Sequence, residues 1–213
     1  DVTLAPRIKE LNLADKITRG QEVIIPMQSF WPGGLTAKGF QVVPVLAYHH
    51  FSNVNSRKKM TVGVNQFESQ LRYLQENGYV GITLDQFLDY LEFGQIPEKS
   101  VLLTIDDGWE SAYSIAYSKL LEYGYSAVLF IPTNAIREEE SSLLSWNQLR
   151  TMVQNSTVEI QAHTKSHRNL TKRKKGETFS AYVKAIQSEI DGAKHIIRDR
   201  LGREANSLSY PYG

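Results

Sequence analysis

The chain has 213 residues, 41% of them hydrophobic and 22% charged, and 24 basic against 23 acidic side chains leave a formal net charge of +1. That length and composition suit one substantial globular domain with a small appendage, and the charge balance argues against a general nucleic-acid or anionic-membrane binder. No stretch approaches the ~18 apolar residues of a membrane helix, and the lack of cysteine excludes disulfides, thiol catalysis and cysteine-ligated zinc.

Residues 28–41 hold Pro32, Gly33, Gly34 and Gly39 and read as a linker. From there the pattern alternates strand and helix. The apolar run 42–47 is a strand candidate. Phe67, Leu71 and Leu74 lie on a helix opened by Asn65 and closed by Gly78. After a weak strand at 79–82, Thr83 with Gln86 fits a capping box ahead of Phe87, Leu88 and Leu91. Residues 101–105 form the clearest buried strand, followed by a helix over 110–123 that Gly124 ends, and by a strand at 127–131 stopped by Pro132. Ser145 with Gln148 caps a helix through Val153, and 158–162 is strand-like. Phe179, Val183, Ile186, Ile190, Ile197 and Leu201 mark one face of a long helix terminated by Gly202, and 207–210 is the last strand.

This alternation predicts an α/β fold, a parallel sheet with helices packed outside it. In such folds ligands bind beyond the carboxyl ends of the strands, and the reactive side chains fall there. His49 and His50 follow the first strand, Asp106 and Asp107 follow strand 101–105, His163 and His167 follow strand 158–162, and 210–213 closes the last. Two imidazoles four residues apart can share one divalent cation, and one carboxylate would complete a His-His-Asp set with an open position. The other aspartate would then act as a base. Each element has a plainer reading on its own: Asp-Asp-Gly builds turns and helix caps, and a lone His-x-x-x-His is commonly two surface histidines. Trp109 and Trp146 are either sugar-stacking platforms or core packing. Lys172–Lys175 and Glu138–Glu140 read as solvated charge runs, and His195 as a surface residue.

"TIDDG" (104–108), "HTKSH" (163–167) and "SYPYG" (209–213) resemble the first three motifs of the polysaccharide deacetylases, carbohydrate esterase family 4. "VPVLAYHHF" (43–51) resembles the first strand of the poly-N-acetylglucosamine deacetylase-like subgroup. The likeness covers 42–213 and implies a distorted (β/α) barrel, incomplete on its C-terminal side, with the last strands and the fourth and fifth motifs expected beyond Gly213. It implies Asp106 as catalytic base, with Asp107, His163 and His167 as ligands of one divalent metal, zinc first, with cobalt, nickel or iron as alternatives. It also implies a Tyr212 backbone N–H that helps hold the oxyanion, a Thr164 that braces the histidine loop, and site-lining positions for His49, Trp109 and Pro211. Many members carry an arginine where Ser209 stands, so another group is expected to tune Asp106. The general acid belongs to the fifth motif.

The implied reaction is hydrolytic removal of N-acetyl groups from an N-acetylglucosamine-containing polysaccharide, whether poly-N-acetylglucosamine, peptidoglycan or chitin-like. Water activated at the metal, with an aspartate base, attacks the acetamide. Nucleic acid is not an expected partner, and the resemblance implies an extracytoplasmic location. A carbohydrate-binding protein that keeps the fold and metal without turnover, and an O-acetyl polysaccharide esterase, are the alternatives. Residues 1–27 resemble part of a LysM repeat through Asn12, Gly20-Gln21 and the "IIP" at 24–26.

Overall fold

Five parallel strands carry the architecture of the computed structural model, which describes residues 35–36 and 39–213. The LysM-like segment lies outside them. In chain order, β1 (Leu35–Thr36) pairs antiparallel with β2 (Gly39–Phe40). Next, β3 (Val45–Tyr48) runs into a small parallel pair, β4 (His50–Ser52) and β5 (Thr61–Gly63). There follow α1 (Val64–Glu76), β6 (Val80–Gly81), α2 (Leu84–Leu91) and β7 (Ser100–Ile105). A π-helical turn, Ala112–Tyr117, leads into α3 (Ser118–Tyr123) and β8 (Ala127–Ile131). A 3-10 turn (Thr133–Ala135), α4 (Trp146–Gln154), β9 (Val158–Ala162) and α5 (Phe179–Leu201) complete the order.

The main sheet runs β3-β7-β8-β9, with β6 beside the first residues of β7, and it is open among the described residues. All of its pairings are parallel. Every residue of β7 and β8 is buried, the signature of parallel strands covered on both faces. Because side chains alternate along a strand, Val101, Leu103 and Ile105 join a core built with α1, α3, α4 and α5. Leu102, Val128 and Phe130 point the other way, into a smaller cluster closed by Ile82 and Leu84.

Several sequence signals appear as expected. Thr83 and Ser145 cap α2 and α4, each accepting from the N–H of a glutamine three residues on. Gly124 and Gly202 end α3 and α5 in the left-handed conformation. Other elements differ. The cap of α1 is Gly63 rather than Asn65, and the Gln66 side chain accepts from the Gly63 N–H at 3.1 Å. The helix expected over 110–123 starts as a π-helical turn, and the α-helix proper begins only at Ser118. The last strand shrinks to one bridge between Ala162 and Leu208. There the Gln161 side chain takes the N–H groups of Asn206 and Ser207, both at 3.0 Å, and a turn from Tyr210 to Gly213 around Pro211 ends the pairing. The apolar stripe of α5 is covered only in its second half: Ala193 and Ile197 are buried, whereas Phe179 and Val183 are exposed.

Candidate metal centre and active site

Register brings the functional residues to one rim. Tyr48 lies level with Ile105 and Ile105 with Leu129, while β8 and β9 run two residues further, to Ile131 and Ala162. The ladder continues past the strand ends, so the first site residues are held by backbone. The Asp106 N–H donates to the Tyr48 carbonyl and the His163 N–H to the Ile131 carbonyl, each at 2.9 Å. Beyond them the chain turns sharply. Asp107, Thr164, His167 and Tyr212 all adopt positive φ (73°, 64°, 60° and 72°), a conformation that costs a non-glycine residue free energy and collects at functional sites. Gly108 follows at φ 71°, where an added Cβ would come within 3.0 Å of the Ile136 side chain. Glycine thus lets the chain continue the left-handed turn that begins at Asp107.

The outcome is a cluster. Asp107 Oδ1 lies 3.4 Å from His163 Nε2 and 3.3 Å from His167 Nε2, and one donor atom from each of the three residues falls within 4.8 Å of the others. His163 is almost wholly buried. Its Nδ1 lies 2.9 Å from the Ser209 carbonyl, so the ring N–H belongs on Nδ1 and the Nε2 lone pair faces Asp107, the arrangement second-sphere carbonyls impose on metal-binding histidines. Asp106 is tied at one oxygen only: Ser209 Oγ donates to Oδ2 at 3.1 Å, while Oδ1 is buried with no partner among the described residues. Two imidazole nitrogens and one carboxylate oxygen suit a divalent transition metal with an open position, and the orphaned Asp106 oxygen adjoins that set. The residues fit such an ion.

Charge follows from the same geometry. Burial raises the Asp106 carboxyl above the usual aspartate range, against the pull of His163, the Ser209 hydroxyl and His49. Asp107 is held low, first by its contact with His163. For His163, burial disfavours the charged ring, but Asp107, Asp106 and the Ser209 carbonyl outweigh it and raise the pKa. Burial and the neighbouring His163 lower His167.

The remaining expected residues separate. His49 is near enough to lower both aspartates. His50 turns away and meets Trp109 edge-on at 5.4 Å; Trp109 itself is half-buried. The Tyr212 ring is exposed and stands edge-on to His167 at 4.9 Å, and no acceptor is found for its N–H among the described residues. Pro211 is buried. Thr164 is fully buried, and the loop is braced through backbone: the Thr164 and Lys165 carbonyls accept from Thr133 and Asn134 at 3.3 and 2.8 Å. Trp146 is core, with the Arg200 guanidinium 5.5 Å over its ring, so it offers no platform for sugars. His195 is exposed. Ser209 is the residue that sequence reasoning undervalued: in place of a charged group it holds Asp106 by its hydroxyl and His163 by its carbonyl.

A sheet of this topology carrying an Asp-His-His cluster at its carboxyl rim defines a class of α/β protein with a centre able to hold a metal ion. Residues 94–213 match the polysaccharide deacetylase family model, and the chain belongs to that family. It is 29% identical over 168 residues to the poly-β-1,6-N-acetyl-D-glucosamine N-deacetylase of Staphylococcus aureus, covering 78% of this chain and 58% of that protein. The chain thus spans less than two thirds of the length of this curated relative. Among solved structures, the Streptococcus pyogenes deacetylase PplD in complex with acetate superposes with a TM-score of 0.71 at 23% identity, over 80% of this chain and 74% of that one. IcaB from Ammonifex degensii gives 0.69 at 25% identity, with the same two coverages.

Proposed function

We propose that the protein is a metal-dependent hydrolase that removes N-acetyl groups from an N-acetylglucosamine-containing polysaccharide, with residues 42–213 as its deacetylase domain. The observation that carries this reading is the convergence of Asp107, His163 and His167 within 4.8 Å, with a second, differently tuned aspartate beside them. Those three residues would hold the cation, zinc before cobalt, nickel or iron. A divalent ion there supplies Lewis acidity toward the acetamide carbonyl and acidifies water in contact with it.

Asp106 is the base. Its free, buried Oδ1 takes the proton of the attacking water, and its raised pKa makes it a better acceptor than an ordinary aspartate. Ser209 keeps the other oxygen engaged, so the carboxylate presents one acceptor rather than rotating between two. The unpaired Tyr212 N–H supports an oxyanion role, since a preset donor aimed at developing charge is a large catalytic contribution. The relative is named for poly-β-1,6-N-acetyl-D-glucosamine, one N-acetylated polymer of this class, and an extracytoplasmic location fits such a substrate.

Acetate release from an N-acetylglucosamine oligomer, with bound metal counted in parallel, tests this. Asp106→Asn should lower the rate about 10²- to 10⁴-fold, as loss of a positioned base does, with metal content unchanged. An unaltered rate removes Asp106 as base. Release from an O-acetylated but not an N-acetylated polymer would make the protein an esterase.

A further inference from the structure

Beside the metal centre lies a recess of about 370 Å³ whose wall runs from His167 and Tyr212 to Arg168, Lys172, Arg173 and Lys174. No carboxylate lines it. Among the described residues, the charged groups of Lys172, Arg173 and Lys174 form no ion pair within 4.0 Å, whereas the Arg168 guanidinium is matched with Glu177 at 2.6 Å. The loop is held in shape. Its Asn169 side chain accepts from the Thr171 N–H and hydroxyl at 2.9 and 2.8 Å, the Tyr182 hydroxyl donates to the Leu170 carbonyl, and Glu177 also accepts from the Lys174 N–H at 2.9 Å.

Arg168 supplies an independent sign of a ligand. Its side chain is only 9% exposed, and its Nε is a buried donor with no acceptor among the described residues. A buried donor without a partner is costly, and an anion is the acceptor that a guanidinium suits best. A loop kept in place by its own hydrogen bonds, with three unmatched cations and a buried unsatisfied guanidinium N–H, is more than a solvated charge run.

We propose that this recess is an anion-binding subsite that selects glycan chains bearing a carboxylate or phosphate close to the acetamide presented at the metal centre. The proposal rests on the deacetylase reading of that centre and ranks its substrates more narrowly: N-acetylated polymers with acidic substituents ahead of the neutral homopolymer. The same field acts on product. Deacetylation converts a neutral acetamide into an amine that takes up a proton, so a cationic wall repels the finished sugar and favours stretches still acetylated.

Binding measures this apart from turnover. The zinc-loaded Asp106→Asn protein is titrated calorimetrically at pH 7 and low salt with four hexamers on one backbone. One is neutral N-acetylglucosamine, one carries lactyl carboxylates on alternate sugars, one carries phosphate monoesters, and one is fully deacetylated and cationic. The expected order is anionic, neutral, cationic, with the anionic chains about tenfold or more tighter than the neutral one. The gap should collapse in 0.5 M salt, because exposed charges are screened. Whichever anionic arm binds more tightly identifies the group recognised. Reversing the loop, Lys172→Glu with Arg173→Glu and Lys174→Glu, should invert the order, an effect that misfolding cannot imitate. Equal affinities for the four chains, or an order that the reversal leaves in place, overturns the subsite. Acetate release from the neutral hexamer by the unmutated protein stands or falls separately, so loss of the subsite is distinguishable from loss of the deacetylase reading.

Discussion

At the scale of single residues, the site is an exercise in giving two adjacent carboxylates opposite properties. Asp106 and Asp107 differ by one position, yet burial drives one pKa up and a histidine contact holds the other down. Ser209 adjusts the first of these. Its hydroxyl stabilises ionised Asp106, while its carbonyl, not its side chain, orients His163. Ser209→Ala therefore removes one hydrogen bond and leaves the metal ligands in place. The Asp106 pKa then rises further, a base must be ionised to act, and the acidic limb of the kcat/KM profile should move to higher pH. The rate at the alkaline plateau should change much less, and metal content not at all. A profile whose acidic limb stays where it was would show that Ser209 does not tune Asp106. The motif residues were legible because their types are chemically loaded. Ser209 was not, because a serine in place of an arginine looks like a loss until the 3.1 Å contact is seen.

At the scale of elements, regular structure was easier to read than the turns that carry the chemistry. The unbroken apolar run of β7 and the capping boxes of α2 and α4 are local signals, and each formed where the sequence placed it. The parallel pair β4–β5 was invisible, since three-residue strands lack room for a periodic pattern, and its Phe51 finds its meaning only against Tyr48 and Phe67. Positive φ at Asp107, Thr164, His167 and Tyr212 was equally hidden: Asp and His visit the left-handed region more than most residues, but too rarely to mark a turn, and Thr and Tyr give no such signal. Gly108 is the exception, a glycine that signals one. Gly108→Ala adds a methyl at φ 71° and presses it to within 3.0 Å of Ile136. A side chain in that conformation costs roughly 1–2 kcal/mol before any clash is counted. Denaturant unfolding should register at least that loss. Because the turn carries Asp107, metal affinity should fall too, in contrast to a helix-ending glycine such as Gly124, around which space is open. Gly124→Ala should lose stability alone.

At the scale of the whole molecule, the centre is a cross-link between loops that the sheet holds near each other. Asp107 leaves β7 and the two histidines leave β9, with β8 between them, so the donor set exists only when the sheet is formed. An ion that binds the folded chain and not the unfolded one stabilises it by mass action, about 2.7 kcal/mol at a hundred times its dissociation constant. For a domain of this size that corresponds to a rise in Tm of roughly 5–10 °C. Thermal unfolding with zinc and with chelator should show this gap, and His167→Ala should abolish most of it while leaving the chelated protein close to its original Tm, since that ring is only partly buried. The gap should also depend on pH, in a direction the geometry fixes. His163 must be neutral at Nε2 to ligate, but Asp107 and Asp106 raise its pKa above the ordinary imidazole value of about 6.5. Proton and metal compete for one nitrogen, so stabilisation by zinc should be fully present well above that raised pKa. It should weaken as pH falls through that raised pKa and fade further below it. The chelated protein changes in the opposite sense, because a raised histidine pKa contributes stability below the ordinary value that is lost as pH rises through the folded one. The two unfolding curves should therefore converge on acidification. Curves that stay parallel from pH 8 to 5 would mean that the cation is held elsewhere.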